Sequence, residues 1–260
     1  MKTDSRTHLP GGTKTQTHHV VAYSANLRTE TGMGTQALFG QRFDVIHSHK
    51  GVSRGALYSI VPGTERIDYI GFLPSSVLSV DTLKPMYVVT AVAAALFKSA
   101  DIKSPVLGGL PRNSAVSGIM EDGFLKLPQG GFIHPRHVRD LKSPPSRSFI
   151  DFAMDMLSLP YIWGGTGQIG VDCSGLVQSA LAATGKDAPR DTDQQELQLG
   201  EPVSFADRTT GDLLFWPGHV GIVVDGDKLL HANAHDMCVA METVEQAVAR
   251  IGLVRTTKRL

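Results

Sequence analysis

The chain of 260 residues is short of cysteine, of aromatic side chains and of net charge, and each shortage removes a class of protein. Its two cysteines, Cys173 and Cys238, are too few to staple a disulfide-built secreted scaffold. Basic and acidic residues number 25 each, so the formal net charge is +0 and no surface field points to nucleic acid or an anionic membrane as partner. Aromatic residues make up 7%, with no stripe of them set among Lys and Arg for base stacking. Long hydrophobic runs are missing too. The longest apolar stretch, Tyr87 to Phe97, is interrupted by Thr90 and falls short of the ~18 residues of a membrane span. The opening MKTDSRTHLPGG has no apolar core of an export leader, so a cytoplasmic protein is the expectation. His231, His235, Cys173, His219 and Cys238 are ligand types, but no C-x₂-C pair is present, so neither a metal nor a cofactor is expected.

What remains is an ordinary globular composition, 42% hydrophobic and 19% charged. Residues 1–18 are polar and aperiodic and read as a mobile tail. Over residues 19–80, short apolar runs at His19–Tyr23, Arg42–His47, Ala56–Ile60 and Asp68–Phe72 are separated by Gly, Pro and Ser, the pattern of a small all-β barrel. Residues 84–141 repeat the theme with Tyr87–Leu96, Ala115–Met120, Phe124–Lys126 and Gly131–Ile133, which suggests a tandem pair. Lys142-Ser143-Pro144-Pro145-Ser146 reads as a stiff linker.

From Ser146 to Leu260 the texture changes. Phe149, Phe152, Ala153 and Met156 recur at helical spacing. A second helix is predicted from Cys173 to Thr184, with Asp172 as N-cap, Gly185 as stop, and Leu176, Val177, Ala180 and Leu181 on one apolar face. Strands follow at Asp212–Trp216, Val220–Val224 and Lys228–Ala232, the last two joined by an Asp225-Gly226 turn, and a short helix at Val244–Ile251. The C-terminal fold class is therefore α+β, helices on an antiparallel sheet, with Trp163 and Trp216 expected in its core.

Cys173 falls in the first turn of the second helix, where unpaired N–H groups and the helix dipole favour a thiolate. The same N–H groups can receive the oxyanion of an acyl-transfer intermediate. The alternative for a lone cysteine is a buried packing residue. His219 opens a strand between Gly218 and Val220, and on its own reads more readily as a surface loop histidine. Pairing about the Asp225-Gly226 turn brings His231 close to it across the hairpin, so one imidazole can act as base and the other can orient it.

These strings together resemble a known family: Pro160-Tyr161-Ile162-Trp163-Gly164-Gly165, Asp172-Cys173-Ser174-Gly175-Leu176-Val177-Gln178, Gly211-Asp212-Leu213-Leu214-Phe215, His219-Val220-Gly221-Ile222 and Leu230-His231-Ala232. They are similar to the NlpC-type papain-like cell-wall endopeptidases. The upstream half is similar to the tandem bacterial SH3-like domains of one branch, which cuts the γ-D-glutamyl–L-diamino acid bond of murein peptides. The resemblance implies Cys173 as nucleophile, His219 as general base and His231 as the residue that orients it. It also implies Tyr161, Asp172 and Ser174 as substrate-binding residues, the last two receiving a free N-terminal amine, in a peptide-recycling role. Where that branch often carries an acidic residue, this chain has Gln41. Two other readings stand beside it: an inert SH3-like protein that binds cell wall or peptide, and a papain-like amidase or acyltransferase.

Overall fold

Short alternating runs broken by turns make the first half of the chain a β structure, because each run can bury one face only. The computed structural model describes residues 4–80, 84–167 and 169–260. Contacts divide the chain into two units between Ser146 and Arg147, directly after the Pro144-Pro145 pair.

In the first unit, residues 16–79 form a seven-stranded antiparallel sheet. Its order is Gly32–Leu38, Ser24–Thr29, Ile67–Pro74, Val52–Tyr58, Arg42–His49, Gln16–Val20 and Leu78–Ser79. Val20, Leu27, Phe43, Leu57 and Leu73 fill its core. The hairpin Ser24–Thr29/Gly32–Leu38 escaped sequence reading because it carries few large apolar side chains. Residues 87–140 form a five-stranded and a three-stranded antiparallel sheet. The one strand expected over Tyr87–Leu96 is two, Tyr87–Val89 and Ala93–Phe97, belonging to different sheets. Phe39, from the first segment, lies in the core of the second with Val89, Leu96, Leu110 and Leu125. The Ala115 N–H also donates to the Phe39 carbonyl at 3.0 Å. This shared core joins the two segments into one unit. Residues 81–83, the expected boundary, lie outside the described residues.

The mobile tail needs correction. Gln16–Val20 pairs with Arg42–His49, and the Ile70 N–H donates to the Arg6 carbonyl at 2.7 Å. Polar side chains do not prevent an edge strand, since the ladder is made by the backbone.

The second unit begins with helix α1 (Phe149–Met154), capped by Ser148 in a capping box with Asp151. Helix α2 (Cys173–Ala183) follows, then α3 (Thr192–Gln198). After them come strands β1 (Glu201–Val203), β2 (Leu213–Trp216), β3 (His219–Asp225), β4 (Lys228–Asn233) and β5 (Cys238–Thr243), helix α4 (Val244–Ile251) and strand β6 (Thr256–Arg259). The antiparallel sheet runs β1-β6-β2-β3-β4-β5. Leu214, Trp216, Val223, Leu229, Val244 and Ala247 pack between the sheet and α4. Every residue of α2 is buried, so it has no solvent face and is not the one-sided amphipathic helix expected. Its polar Gln178 donates through Nε2 to the Ala188 carbonyl at 3.1 Å. Among the described residues, no helix is long and apolar enough to cross a membrane.

Candidate functional site

Asp172 has extended backbone geometry, and its carboxylate accepts the Gly175 N–H at 2.7 Å, which starts α2 and places Cys173 at the first helical position. Gly175 has to be glycine: a Cβ there would lie 2.2 Å from the Gly165 carbonyl oxygen. This close approach seats the 160–171 loop on the helix start. The loop is pinned further by Tyr161 N–H to the Met237 carbonyl at 2.9 Å and by Gly164 N–H to Asp172 Oδ2 at 2.8 Å. With its backbone anchored inward, Trp163 faces out. It is 69% exposed and not a core residue as expected, whereas Trp216 is 1% exposed.

The Cys173 thiol is buried, with Sγ 3.6 Å from Thr192 Oγ1 and 3.9 Å from the Gly218 carbonyl. Backbone N–H groups of Ser174 and Val220 also reach it. The thiol thus contacts the chain on both sides of His219. Among the described residues it makes no hydrogen bond to that imidazole. Burial is the largest influence on the thiol and pushes its pKa up, and Asp172 adds to the rise. Bonds from Thr192, Val220 and Ser174 act the other way without prevailing. The thiolate expected at the helix start is therefore not the resting form: desolvation outweighs the helix terminus.

His219 is presented at the head of β3, opposite Trp216 on β2. Gly218 makes that corner in the left-handed region, at φ 73°. His219 Nε2 lies 2.8 Å from His231 Nδ1, with ring centroids 5.0 Å apart. A β-bulge achieves this. Asp225 pairs with Lys228, but after a one-residue shift Val223 pairs with Leu229 and Ile222 with Leu230. Continued along the strands, the shifted register puts both histidines on one face of the sheet, and the unshifted one would put them on opposite faces. Burial lowers both imidazoles, His219 to about 3 and His231 to about 4. His219 feels His231 next, and His231 feels Arg250. Both rings are therefore neutral near pH 7.

The other side of Cys173 is an ion pair. Arg190, 1% exposed, grips Asp172 with two bonds of 2.9 and 2.7 Å and Ser174 Oγ with a third of 3.0 Å. Tyr161 is near enough to feel Asp172, Cys173 and Arg190. Burial, followed by the first two, raises its hydroxyl to about 12. The six residues singled out by sequence therefore gather around one helix start. Three that share the site were missed: Arg190, Thr192 and Glu242. Asp191 and Gln194 form a capping box at the head of α3, and their three-residue spacing is the signal that would have found that helix and Thr192 with it. Gln41, in the other unit, is 5% exposed and internally committed: its Nε2 donates to the Tyr58 carbonyl at 2.6 Å and its Oε1 accepts from Leu38 N–H at 2.9 Å.

A buried thiol at a helix start, packed against the strand head that carries a histidine pair, belongs to the cysteine peptidases of papain-like fold. Residues 158–256 match the NlpC/P60 family, and that part of the chain is a domain of this family. The chain is 28% identical over 247 residues to the gamma-D-glutamyl-L-lysine dipeptidyl-peptidase of Bacillus subtilis strain 168, covering 85% of this chain and 79% of that protein. It is 38% identical over 89 residues to a probable endopeptidase of Corynebacterium glutamicum strain R, covering 33% of this chain and 42% of that protein. The fold is similar to the crystal structure of an NlpC/P60 family protein from Bacillus cereus ATCC 10987. The TM-score is 0.78 at 21% identity, over 94% of this chain and 99% of that one.

Proposed function

We propose that the protein is an endopeptidase that hydrolyses the γ-D-glutamyl–L-diamino acid bond of murein peptides bearing a free N-terminal L-Ala, in cytoplasmic recycling of cell-wall peptides. The observation that carries this is the 2.8 Å His219–His231 pair at the strand head against which the Cys173 thiol packs. The B. subtilis relative, similar along most of the chain, adds the substrate class.

Cys173 is the nucleophile and His219 its base. His231 occupies Nε2 of His219, which leaves Nδ1 as the ring nitrogen able to take the thiol proton. A raised thiol and lowered imidazoles both disfavour a resting ion pair, so proton transfer accompanies attack. Sulfur bonds to the γ-carbonyl carbon. The Ser174 N–H at the helix start supports the oxyanion, and the imidazolium returns its proton to the leaving amine as the C–N bond breaks. Water, deprotonated by the same imidazole, then cleaves the thioester and restores the thiol. Tyr161, Asp172 and Ser174 read the free amine. Arg190 already neutralises Asp172, and with the Gly164 and Gly175 N–H groups it fills the carboxylate's lone pairs, so an ammonium competes with these bonds and selectivity comes mainly from hydrogen bonding at Tyr161 and Ser174. Residues 19–80 and 84–141 are read as the SH3-like barrels that accompany such peptidases. Gln41, whose amide is used inside its own segment, takes no part in amine recognition.

The test is to incubate reduced protein with L-Ala-γ-D-Glu-diaminopimelate and its N-acetylated form and identify products by mass spectrometry. Release of L-Ala-D-Glu is expected, with the acetylated peptide slower by about tenfold or more. No cleavage of either peptide by folded protein would refute the reading.

A further inference from the structure

The histidine pair does not end at His231. On the far side of that ring, Nε2 lies 3.0 Å from Glu242 Oε1 on β5 and 3.2 Å from Asn233 Nδ2 on its own strand. Glu242 pairs with Leu229 and His231 with Ala240, so Glu242 and His231 share a sheet face one step apart on the diagonal. Glu242 is itself held by an ion pair with Arg250 from α4.

These two neighbours make opposite demands on one nitrogen. A carboxylate needs His231 Nε2 to carry the proton, and an amide N–H needs it bare. Asn233 cannot turn its oxygen inward, because its Oδ1 accepts the Asp236 N–H at 2.8 Å and its Nδ2 donates to Asp236 Oδ2 at 3.0 Å. His231 is neutral and holds one proton, so only one neighbour is satisfied. If Glu242 prevails, His231 Nδ1 is a bare acceptor. His219 must then donate Nε2–H to it, and Nδ1 of His219 carries a lone pair. If Asn233 prevails, His231 donates from Nδ1 to Nε2 of His219, and the proton of His219 moves to Nδ1, where it blocks removal of the thiol proton.

We propose that Glu242 is a positioning residue that fixes the tautomer of His231, and through it the tautomer of His219 that can serve as base. The proposal rests on the roles given above to Cys173 and His219. An N–H bond to a carboxylate is about twice as strong as one between neutral groups, so the carboxylate wins the competition with the amide. A cleft of about 580 Å³ reaches Glu242 and brings His235, Asp236 and Arg250 to the same place. The charged and titratable groups facing Glu242 are thus His231 from β4, Arg250 from α4, and His235 and Asp236 from the β4–β5 turn.

The experiment uses full-length Glu242→Gln with Glu242→Asp as its conservative partner, each checked for folding by circular dichroism. Three readouts are taken: tripeptide turnover, the alkylation rate of Cys173 by iodoacetamide followed on its own peptide by mass spectrometry, and imidazole ¹⁵N shifts, which report the protonated ring nitrogen. Glu242→Gln is expected to lower kcat about 10- to 100-fold with KM little changed. It should slow Cys173 alkylation and move the His219 proton from Nε2 to Nδ1. Glu242→Asp should keep the parent tautomer and recover part of the rate. Unchanged kcat and alkylation in folded Glu242→Gln, or a fall in rate with unaltered ¹⁵N assignments, would overturn the proposal. A parent that fails to cleave the tripeptide refutes the substrate reading alone, because alkylation and ¹⁵N shifts still report on Glu242 without substrate.

Discussion

On one side of Cys173, Asp172, Ser174 and Arg190 close a network of formal charges whose hydrogen bonds are all internal. On the other, His219 and His231 stand in line as neutral rings, 2.8 Å apart, with Glu242 at the far end of the line. The first wall is static, since removing either Asp172 or Arg190 leaves the other's buried charge uncompensated. The second is poised, since its rings carry no charge until His219 takes the thiol proton. The contrast separates two uses of buried polarity: the ion pair fixes the helix start and its nucleophile, and the imidazoles supply the base.

Four experiments break or sharpen this contrast, from the largest effect to the smallest. Cys173→Ala is expected to lower kcat by at least about 10⁴-fold while leaving the urea midpoint close to the parent's, because the nucleophile acts as a unit with its base. Stopped assays with product quantification check it, and substantial residual turnover would remove the thiol from the chemistry. Arg190→Met strikes the static wall. It leaves Asp172 buried and unpaired and should cost about 3–5 kcal/mol in urea unfolding. A loss below about 1 kcal/mol would mean that Asp172 is not the buried charge described.

Acid probes the poised wall. Both imidazoles are lowered relative to an unfolded value of about 6.5, so the unfolded chain binds more protons below that pH. The stability that neutral burial confers is whole above pH ~6.5 and is lost as pH falls toward the folded values near 4 and 3, by of the order of 3–5 kcal/mol for each ring. Urea midpoints at pH 7.5 and 5 test the sign, and in His231→Gln the slope should flatten. A parent that is more stable at pH 5 would contradict neutral burial. The smallest effect is expected at Trp163→Ala, since an exposed ring contributes within about 0.5 kcal/mol of nothing to folding. Trp216→Ala, by contrast, should cost about 3–5 kcal/mol through the cavity it opens. Thermal melts of the two side by side decide whether the two tryptophans differ as described.

Much of this architecture could be read from local pattern. The N-cap at Asp172, the hairpin turn at Asp225-Gly226 and the order Cys173, His219, His231 all depend on residues close in sequence or on motifs with fixed spacing. The N-terminal sheets were less legible. Gln16–Val20, Ser24–Thr29 and Val106–Pro111 are held by backbone ladders that need little apolar patterning, and Phe39 serves a core built by the following segment. In the site, Arg190, Thr192 and Glu242 carry no local signal for their roles. Each reaches its partner across 11 to 19 residues of chain.

By itself, then, the sequence determined which residues could do chemistry and where the helices and the hairpin begin, because capping, turn geometry and periodicity act over a few residues. Only the tertiary structure decided their state and alignment. A one-residue bulge between Val223 and Asp225 turned two histidines to one face. Burial made the thiol a thiol and the imidazoles neutral, and Arg190 took up the charge of Asp172. Register, desolvation and ion pairing are properties of what surrounds a residue in space, and no window of adjacent residues contains them.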